Sequence, residues 1–322
     1  MGKYLPKSKY SARFVKNKKM RIVVTGSLGN ISLGLVNKLI ANGHEVTVIS
    51  SNAQKAASIE KLQATPAIGS LTDLAFVDQT FKGADAVYTM VPPDFSTPDY
   101  FAFANKIHDN YARAIEKNNI RYVVNLSSIA VARAGVEPLE RFYDLEKRLD
   151  AVSGLNVVHL RPAMFYTNFY GSLGSVKGQG IMGHNVAGTI DLPMTHPADI
   201  AEVAFNLLNS ASFVGSQTKY VISDVKNGDE IAALIGQAIG KPVHWLEFPD
   251  ETLLQGLLQN GFSRDAAETL VVSSGKAIRQ GLFDEFKAPV YKTNTATGFE
   301  AFAKEYAVAY LRSSKSAAAD RR

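Results

Sequence analysis

Short, almost wholly apolar runs rich in β-branched residues recur through the first half of this chain, and each is followed by a stretch with helical spacing. The runs are "MRIVVTG" (20–26), "HEVTVIS" (44–50), "ATPAIGS" to about Ile68, "ADAVYTMVPP" (84–93), "IRYVVNLSS" (120–128) and "LNVVHLRPAMF" (155–165). Between them lie helical patterns over 30–43, 53–63, 71–83, 98–119 and 137–154. Strands this apolar must be buried on both faces, and alternation at this spacing leaves no room for hairpins, so the expected fold class is α/β. Right-handed crossovers then give a doubly wound parallel sheet with helices on both sides.

After residue 165 the rhythm breaks. A Gly-rich stretch (171–188) leads to a helix over 197–209 and a strand over 219–224, and the remainder is mostly helical. The expected organisation is a dinucleotide-binding domain over 20–165 and a smaller, mostly helical C-terminal substrate lobe over 166–311. Segments at about 197–224 are expected to return to the first domain. Residues 1–19 hold seven basic side chains and no acidic one, and 312–322 four against one. Both ends are expected to be disordered. Residues 20–311 carry a net charge of −5, so the basic pI comes from the ends and gives no basic face for nucleic acid. No stretch approaches the ~18 apolar residues of a membrane span. Cysteine is absent, which excludes thiolate chemistry and fits a reducing, cytoplasmic setting.

The first strand runs into "VTGSLGNISLGL" (23–34), with glycines at 26, 29 and 34 and Ser32 where a nucleotide-binding turn usually has its third glycine. Gly26 permits the tight turn, and Gly29 permits close approach of the backbone to a pyrophosphate held at the helix N-terminus. Ser32 is small enough to replace a packing glycine. At the end of the second strand a carboxylate would bind the ribose of NAD. This chain has Ser50, Ser51 and Asn52 instead, with Lys55 beyond. Lys55 could meet a 2′-phosphate, so NADPH is expected over NADH. Ser and Asn are also good helix N-caps, and both roles are compatible.

The motifs "TGSLGN", "GSLTD" (69–73), "VYTMVPP" (87–93), "VVNLSS" (123–128), "LRPAMFYTNF" (160–169), "HPADIAEVA" (196–204) and "TATGFEAFAKEYAVAY" (295–310) occur in the order of the NmrA-like family, which the chain resembles over about 20–311. That family belongs to the atypical short-chain dehydrogenase/reductases. The resemblance implies a Rossmann fold, NADP(H) binding, and either a reductase or a catalytically silent cofactor sensor. It implies that Gly26, Leu28, Gly29, Asn30 and Ile31 hold the pyrophosphate and that Gly69, Ser70 and Leu71 lie against adenine. Val91, Pro92 and Pro93 would lie beside the nicotinamide ribose, and Pro162 and Phe165 would border the carboxamide.

Many NmrA-like proteins lack the Tyr-x-x-x-Lys pair of the wider superfamily, whereas this chain has Tyr143 and Lys147 in "YDLEK". Residues four apart share a helix face. Lys147 could bind the ribose hydroxyls and lower the Tyr143 pKa from its usual ~10. Tyr143 would then protonate the oxygen formed as hydride arrives, with Ser127 or Ser128 hydrogen-bonded to it. The same segment also reads as an amphipathic helix with Phe142, Leu145 and Leu149 inward. Phe165, Tyr166, Phe169 and Tyr170 could line a flat apolar pocket or be lobe core. "GQAIGKP" (236–242) is one residue short of a P-loop, the six histidines show no metal spacing, and no Gly-x-Ser-x-Gly elbow occurs. The expected activity is hydride transfer from NADPH to a small carbonyl or quinone. The alternative is an NADP(H)-sensing regulator acting through a protein partner. A homodimer is left open, and neither nucleic acid nor membrane is expected as a partner.

Overall fold

The computed structural model describes residues 19–133, 144–293 and 296–319. Strands β1 (Arg21–Val24), β2 (Glu45–Ser50), β3 (Thr65–Ile68), β4 (Ala86–Thr89), β5 (Tyr122–Leu126) and β6 (Asn156–Pro162) alternate with helices α1 (Ser32–Ala41), α2 (Ala56–Lys61), α3 (Leu74–Phe81), α4 (Tyr100–Lys117) and α5 (Asp144–Asp150). Beyond them come β7 (Met164–Phe165), α6 (Leu173–Gln179), β8 (Ile181–His184), β9 (Asp191–Thr195), α7 (Pro197–Ser210), β10 (Ser216–Val221) and β11 (Asp224–Asn227). The chain closes with α8 (Gly228–Ile239), β12 (His244–Glu247), α9 (Asp250–Gln259), α10 (Arg264–Ala266), α11 (Ser273–Arg279) and α12 (Phe299–Ala319).

The main sheet has seven strands in the order β10-β6-β5-β4-β1-β2-β3, all parallel. Val24 of β1 faces Val48 of β2 on one side and Tyr88 of β4 on the other. The apolar periodicity of each helix decides which face it covers. Leu35, Val36 and Leu39 of α1, Ile59 of α2 and Ile200, Ala204 and Leu208 of α7 pack on one face with Val24, Val48 and Tyr88. Val77 and Phe81 of α3, Ile107 and Tyr111 of α4 and Leu145 and Leu149 of α5 cover the other with Val23, Val87 and Val123. The fold is thus a Rossmann-like α/β sheet with a helical C-terminal region, as the alternation predicts. No helix among the described residues is long and apolar enough to cross a membrane.

Two details differ from the sequence expectation and one follows it. The helix expected over 53–63 starts as a 3₁₀ turn (Ala53–Lys55), because the Asn52 side chain accepts from the Gln54 N–H and holds the entry tight. The strand of the 155–165 run, expected to be ended by Pro162, does end there. The Ala163 N–H donates to Thr195 Oγ1 and β7 leaves to pair with β9 in a second, three-stranded sheet (β11-β9-β7). The strand expected over 219–224 is likewise split between two sheets, because Ser223 turns the chain. Its N–H donates to the Met194 carbonyl and its Oγ accepts from the His196 N–H. Of the helix expected over 137–154, the part before residue 144 lies outside the described residues.

A chain of buried polar groups crosses the sheet below its carboxyl edge. Thr89 Oγ1 donates to Asn125 Oδ1 (3.0 Å), Asn125 Nδ2 donates to His159 Nδ1 (3.1 Å), and the opposite ring nitrogen donates to Asp150 Oδ1 (3.0 Å). Ser216 Oγ of β10 ends on the same carboxylate oxygen at 2.6 Å. Asn125 is 1% exposed, so removing its amide strands two buried partners. Asn125→Leu is expected to lower the unfolding free energy by about 2–5 kcal/mol, one desolvated group apiece for Thr89 and His159, read from the urea midpoint.

Candidate functional site

β1 and β4 are neighbours, yet α1 leaves to one face and α4 to the other. A crevice therefore opens above their carboxyl ends. Its floor is stitched across the two strands. The Thr25 N–H donates to the Tyr88 carbonyl (3.1 Å), the Met90 N–H donates to Thr25 Oγ1 (2.9 Å), and Tyr111 Oη donates to the Met90 carbonyl (2.8 Å).

The glycine turn sits at this point. Gly26 has φ +87°, and a Cβ there would lie 2.1 Å from Met90 Sδ. Ser27 follows with φ +56°, a conformation that costs a non-glycine residue ~1 kcal/mol or more. Two bonds to the end of β2 hold it there, from Ser27 N–H to the Ile49 carbonyl (2.9 Å) and from Ser27 Oγ to Ser50 Oγ (3.0 Å). Gly29 and Asn30 are exposed at the crest, Leu28 packs on the core below, and Ile31 is buried. A Cβ on Gly29 would stand 3.1 Å from the Gly26 carbonyl oxygen, so the turn tolerates only a bare backbone comfortably.

Ser32 does more than occupy little space. Its hydroxyl, 1% exposed, donates to the Thr25 carbonyl at 2.9 Å and ties the first turn of α1 back to the strand. Close helix packing falls to Gly34, whose missing Cβ would touch Ala201 of α7 at 3.4 Å. The start of α1 has no side-chain cap and no acidic residue in its first turn. By contrast Asp73, Asp99, His196 and Asn227 cap α3, α4, α7 and α8. The open α1 start therefore offers N–H groups and the positive dipole end to an anion.

The second-strand candidates are partly committed locally. Ser50 is buried and accepts from Ser27 Oγ and the Asn52 N–H, while Asn52 caps the 3₁₀ turn. Lys55 is exposed beyond them. The Gly69 N–H donates to the Ser50 carbonyl at 3.0 Å, which brings the β3 loop alongside. Gly69 lies against the Phe76 ring, and a Cβ there would come within 2.5 Å of it. Ser70 Oγ pairs with Thr72 Oγ1, and the Leu71 carbonyl accepts from Asn110 Nδ2.

On the far side of the crevice, Met90 beyond β4, Leu126 at the end of β5 and Phe165 at the end of β7 pack, with Leu28, on one core cluster. Pro162 is buried beside them, whereas Pro93 is exposed on its loop. That loop is docked to the C-terminal lobe. The Phe95 and Phe262 rings stack at 4.4 Å, the Ser263 N–H donates to the Phe95 carbonyl (2.7 Å), and the Tyr100 N–H donates to Asp265 Oδ2 (2.8 Å). Val91 and Phe262 share an apolar cluster with Tyr100 and Ala266.

Tyr143 lies outside the described residues. Lys147 is on the exposed side of α5, and its neighbour Glu146 turns inward, 1% exposed. Ser127 Oγ donates to Glu146 Oε1 at 2.5 Å, and the same carboxylate receives Arg161 Nε (3.0 Å) and Nη2 (2.6 Å). Arg161 Nη1 continues to Tyr220 Oη at 3.2 Å. Burial acts to lower the Arg161 pKa, but its bonds to Glu146 outweigh this and hold the guanidinium above its usual value. Ser128 Oγ accepts from the Ala130 N–H, an arrangement that leaves its own proton for another acceptor.

The sequence reasoning missed Glu146 and Arg161. A Glu between inward-facing Leu145 and Leu149, and an Arg within a buried strand, were the available signal, since neither is buried without a partner. Of the two readings of the aromatic segment, lobe core is the one the structure shows for Tyr166, Phe169 and Tyr170. Tyr166 and Phe169 are buried in the lobe core with Phe299, Phe302 and Trp245, and Tyr170 packs against Phe302 and Tyr306.

Comparison with known proteins agrees with this geometry. Residues 26–211, more than half of the chain, match a family model described as NAD(P)H-binding. An uncharacterised protein of Schizosaccharomyces pombe is 37% identical over 78 residues, a match covering 24% of this chain and about a quarter (26%) of that relative's length. The NADPH-dependent quinone oxidoreductase of Escherichia coli superposes with a TM-score of 0.70 at 19% identity, over 90% of this chain and 99% of that one. A variant of NmrA superposes with a TM-score of 0.63 at 16% identity, over 89% and 95%. The chain belongs to the NAD(P)H-binding family and has the Rossmann fold of NmrA-like and epimerase/reductase-type proteins.

Proposed function

We propose that the protein is an NADPH-dependent reductase that passes hydride to a small carbonyl or quinone. The observation that carries this is the open start of α1 above the Gly26–Gly29 turn, on the same carboxyl edge as Ser127, Ser128, Pro162 and Phe165. A pyrophosphate at α1 places the adenosine half over β2 and β3 and the nicotinamide half over the ends of β4, β5 and β6. When bound, the cofactor supplies the hydride, and the chain's residues orient it and handle the proton. No carboxylate stands between Ser50 and Lys55 to repel a 2′-phosphate, and exposed Lys55 is free to swing towards one. The likeness to a quinone oxidoreductase supports the substrate class. In this reading Lys147 steadies the nicotinamide ribose and Tyr143 delivers the proton, with Ser128 as the hydroxyl able to donate to the reacting oxygen. A second reading, an NADP(H) sensor acting through a protein partner, is favoured by one observation: the Ser127 hydroxyl is tied to Glu146 rather than left for a substrate.

Gly29→Val is expected to abolish NADPH binding, measured by calorimetry, while a cooperative urea transition, at a midpoint lowered by the crowded turn, shows that the variant is folded. Unchanged affinity would refute the dinucleotide site. NADPH is expected to bind more tightly than NADH, and Lys55→Ala to reduce that preference by roughly 3- to 10-fold, the worth of one partly exposed charge-assisted hydrogen bond. A preference for NADH, or an unaltered ratio in the variant, counts against the 2′-phosphate assignment. With a turned-over acceptor in hand, Tyr143→Phe should lower kcat by roughly 10²–10⁴ at nearly constant cofactor affinity. Lys147→Ala should weaken both. Parent rates in Tyr143→Phe would leave nicotinamide positioning as the source of catalysis. NADPH binding without turnover of any quinone or aldehyde would favour the sensor.

A further inference from the structure

We propose that Ser127 serves the cofactor as a hydrogen-bond acceptor for the nicotinamide carboxamide N–H, and that Glu146, fixed by Arg161, is the positioning residue that gives it this polarity. The inference rests on the dinucleotide reading above. A serine hydroxyl has one proton and two lone pairs. Here the proton points into the protein, 2.5 Å from a carboxylate that is 1% exposed and cannot turn away. Arg161 grips both oxygens of that carboxylate and is itself bonded to Tyr220, so the carboxylate is held in place as an acceptor. Backbone geometry fixes the serine equally well, because the Ser127 N–H donates to the Leu160 carbonyl at 2.7 Å across the β5–β6 step. What half-buried Ser127 presents to the carboxyl edge of the sheet is lone-pair density.

A partner for that density must carry a donor. A carbonyl or quinone oxygen carries none, so such a substrate has nothing to offer Ser127. The nicotinamide ring has one donor group, the carboxamide NH₂. Laying a dinucleotide across the β1–β4 crevice with its adenosine half over β2 and β3 brings the nicotinamide to the ends of β4, β5 and β6, where Ser127 stands between Met90 and Pro162. Ser128, whose Oγ accepts from the Ala130 N–H, has the opposite polarity. The two adjacent serines thus divide the work: Ser127 receives from the cofactor and Ser128 gives to the acceptor oxygen.

The test uses binding alone, on the full chain, with NADP+ and its 3-acetylpyridine analogue, in which the carboxamide NH₂ is replaced by a methyl group. The parent is expected to bind NADP+ about 3- to 10-fold more tightly than the analogue, the worth of one such hydrogen bond. Ser127→Ala should erase the difference by weakening NADP+ only, and Ser127→Thr should keep it. The double variant Glu146→Leu with Arg161→Met removes both buried charges together, which cores commonly tolerate. It should narrow the difference, since the Ser127 hydroxyl is then released to rotate its proton towards the ligand. A urea midpoint confirms that each variant is folded. Equal affinities in the parent overturn the proposal without any variant, and so does a difference that survives in Ser127→Ala. A difference of undiminished size in the double variant removes Glu146 from the positioning role. A parent that binds neither nucleotide instead refutes the dinucleotide reading itself.

Discussion

The carboxyl edge of this sheet is governed by one topological fact: β1 and β4 are hydrogen-bonded neighbours whose following helices pass to opposite faces. No helix can then cover the gap above both strand ends, and a crevice is unavoidable. The chain closes its floor with side chains and backbone together, through Thr25, Met90 and Tyr111. It leaves the walls to the glycine turn on one side and the β4 loop on the other. Ser32 shows how tightly the first wall is set. Its hydroxyl replaces packing space with a directed bond to the strand end, so the start of α1 is held by chemistry where other chains rely on the absence of a side chain.

Helix α5 shows a second economy. Over its described residues, Asp144–Asp150, the helix is held by tertiary contacts. Leu145 and Leu149 provide the apolar grip, while Glu146 and Asp150, one turn apart, reach down to Ser127 and Arg161 and to His159 and Ser216. The helix that carries Lys147 is thereby moored to three adjacent strands through two carboxylates. A group displayed from its exposed side inherits their rigidity.

The fold was legible because near-continuous apolar runs such as "RIVV" and "YVVNL" leave a strand no solvent-facing side, and only a parallel sheet covered twice accommodates several of them. The glycine turn was legible in its context, strand before and helix after. Less legible were features that depend on which partner a polar side chain meets. Ser50 and Asn52 could be ribose ligands or local caps on sequence alone, and the bonds to Ser27 and Gln54 exist only once β1 and β2 lie side by side. Glu146 and Arg161 stand 15 apart in sequence and pair because α5 folds back over β6. Tyr166 and Phe169 carry the same aromatic signal whether they line a pocket or fill a core, and the return of α12 across the lobe decided it.

The stacked Phe95 and Phe262 rings join the loop after β4 to the segment leading into α10. Backbone bonds on either side of the stack, at Ser263 and Tyr100, make it a latch rather than a casual contact. The loop that flanks the crevice and the segment that carries Phe262 are therefore joined to each other. Whatever lifts Val91 to Pro93 away from the sheet must either carry Phe262 and the start of α10 along or pull the rings apart. In mechanical terms the β4-loop wall of the crevice and the start of α10 are fastened to each other at one point, through the paired rings and the bonds beside them.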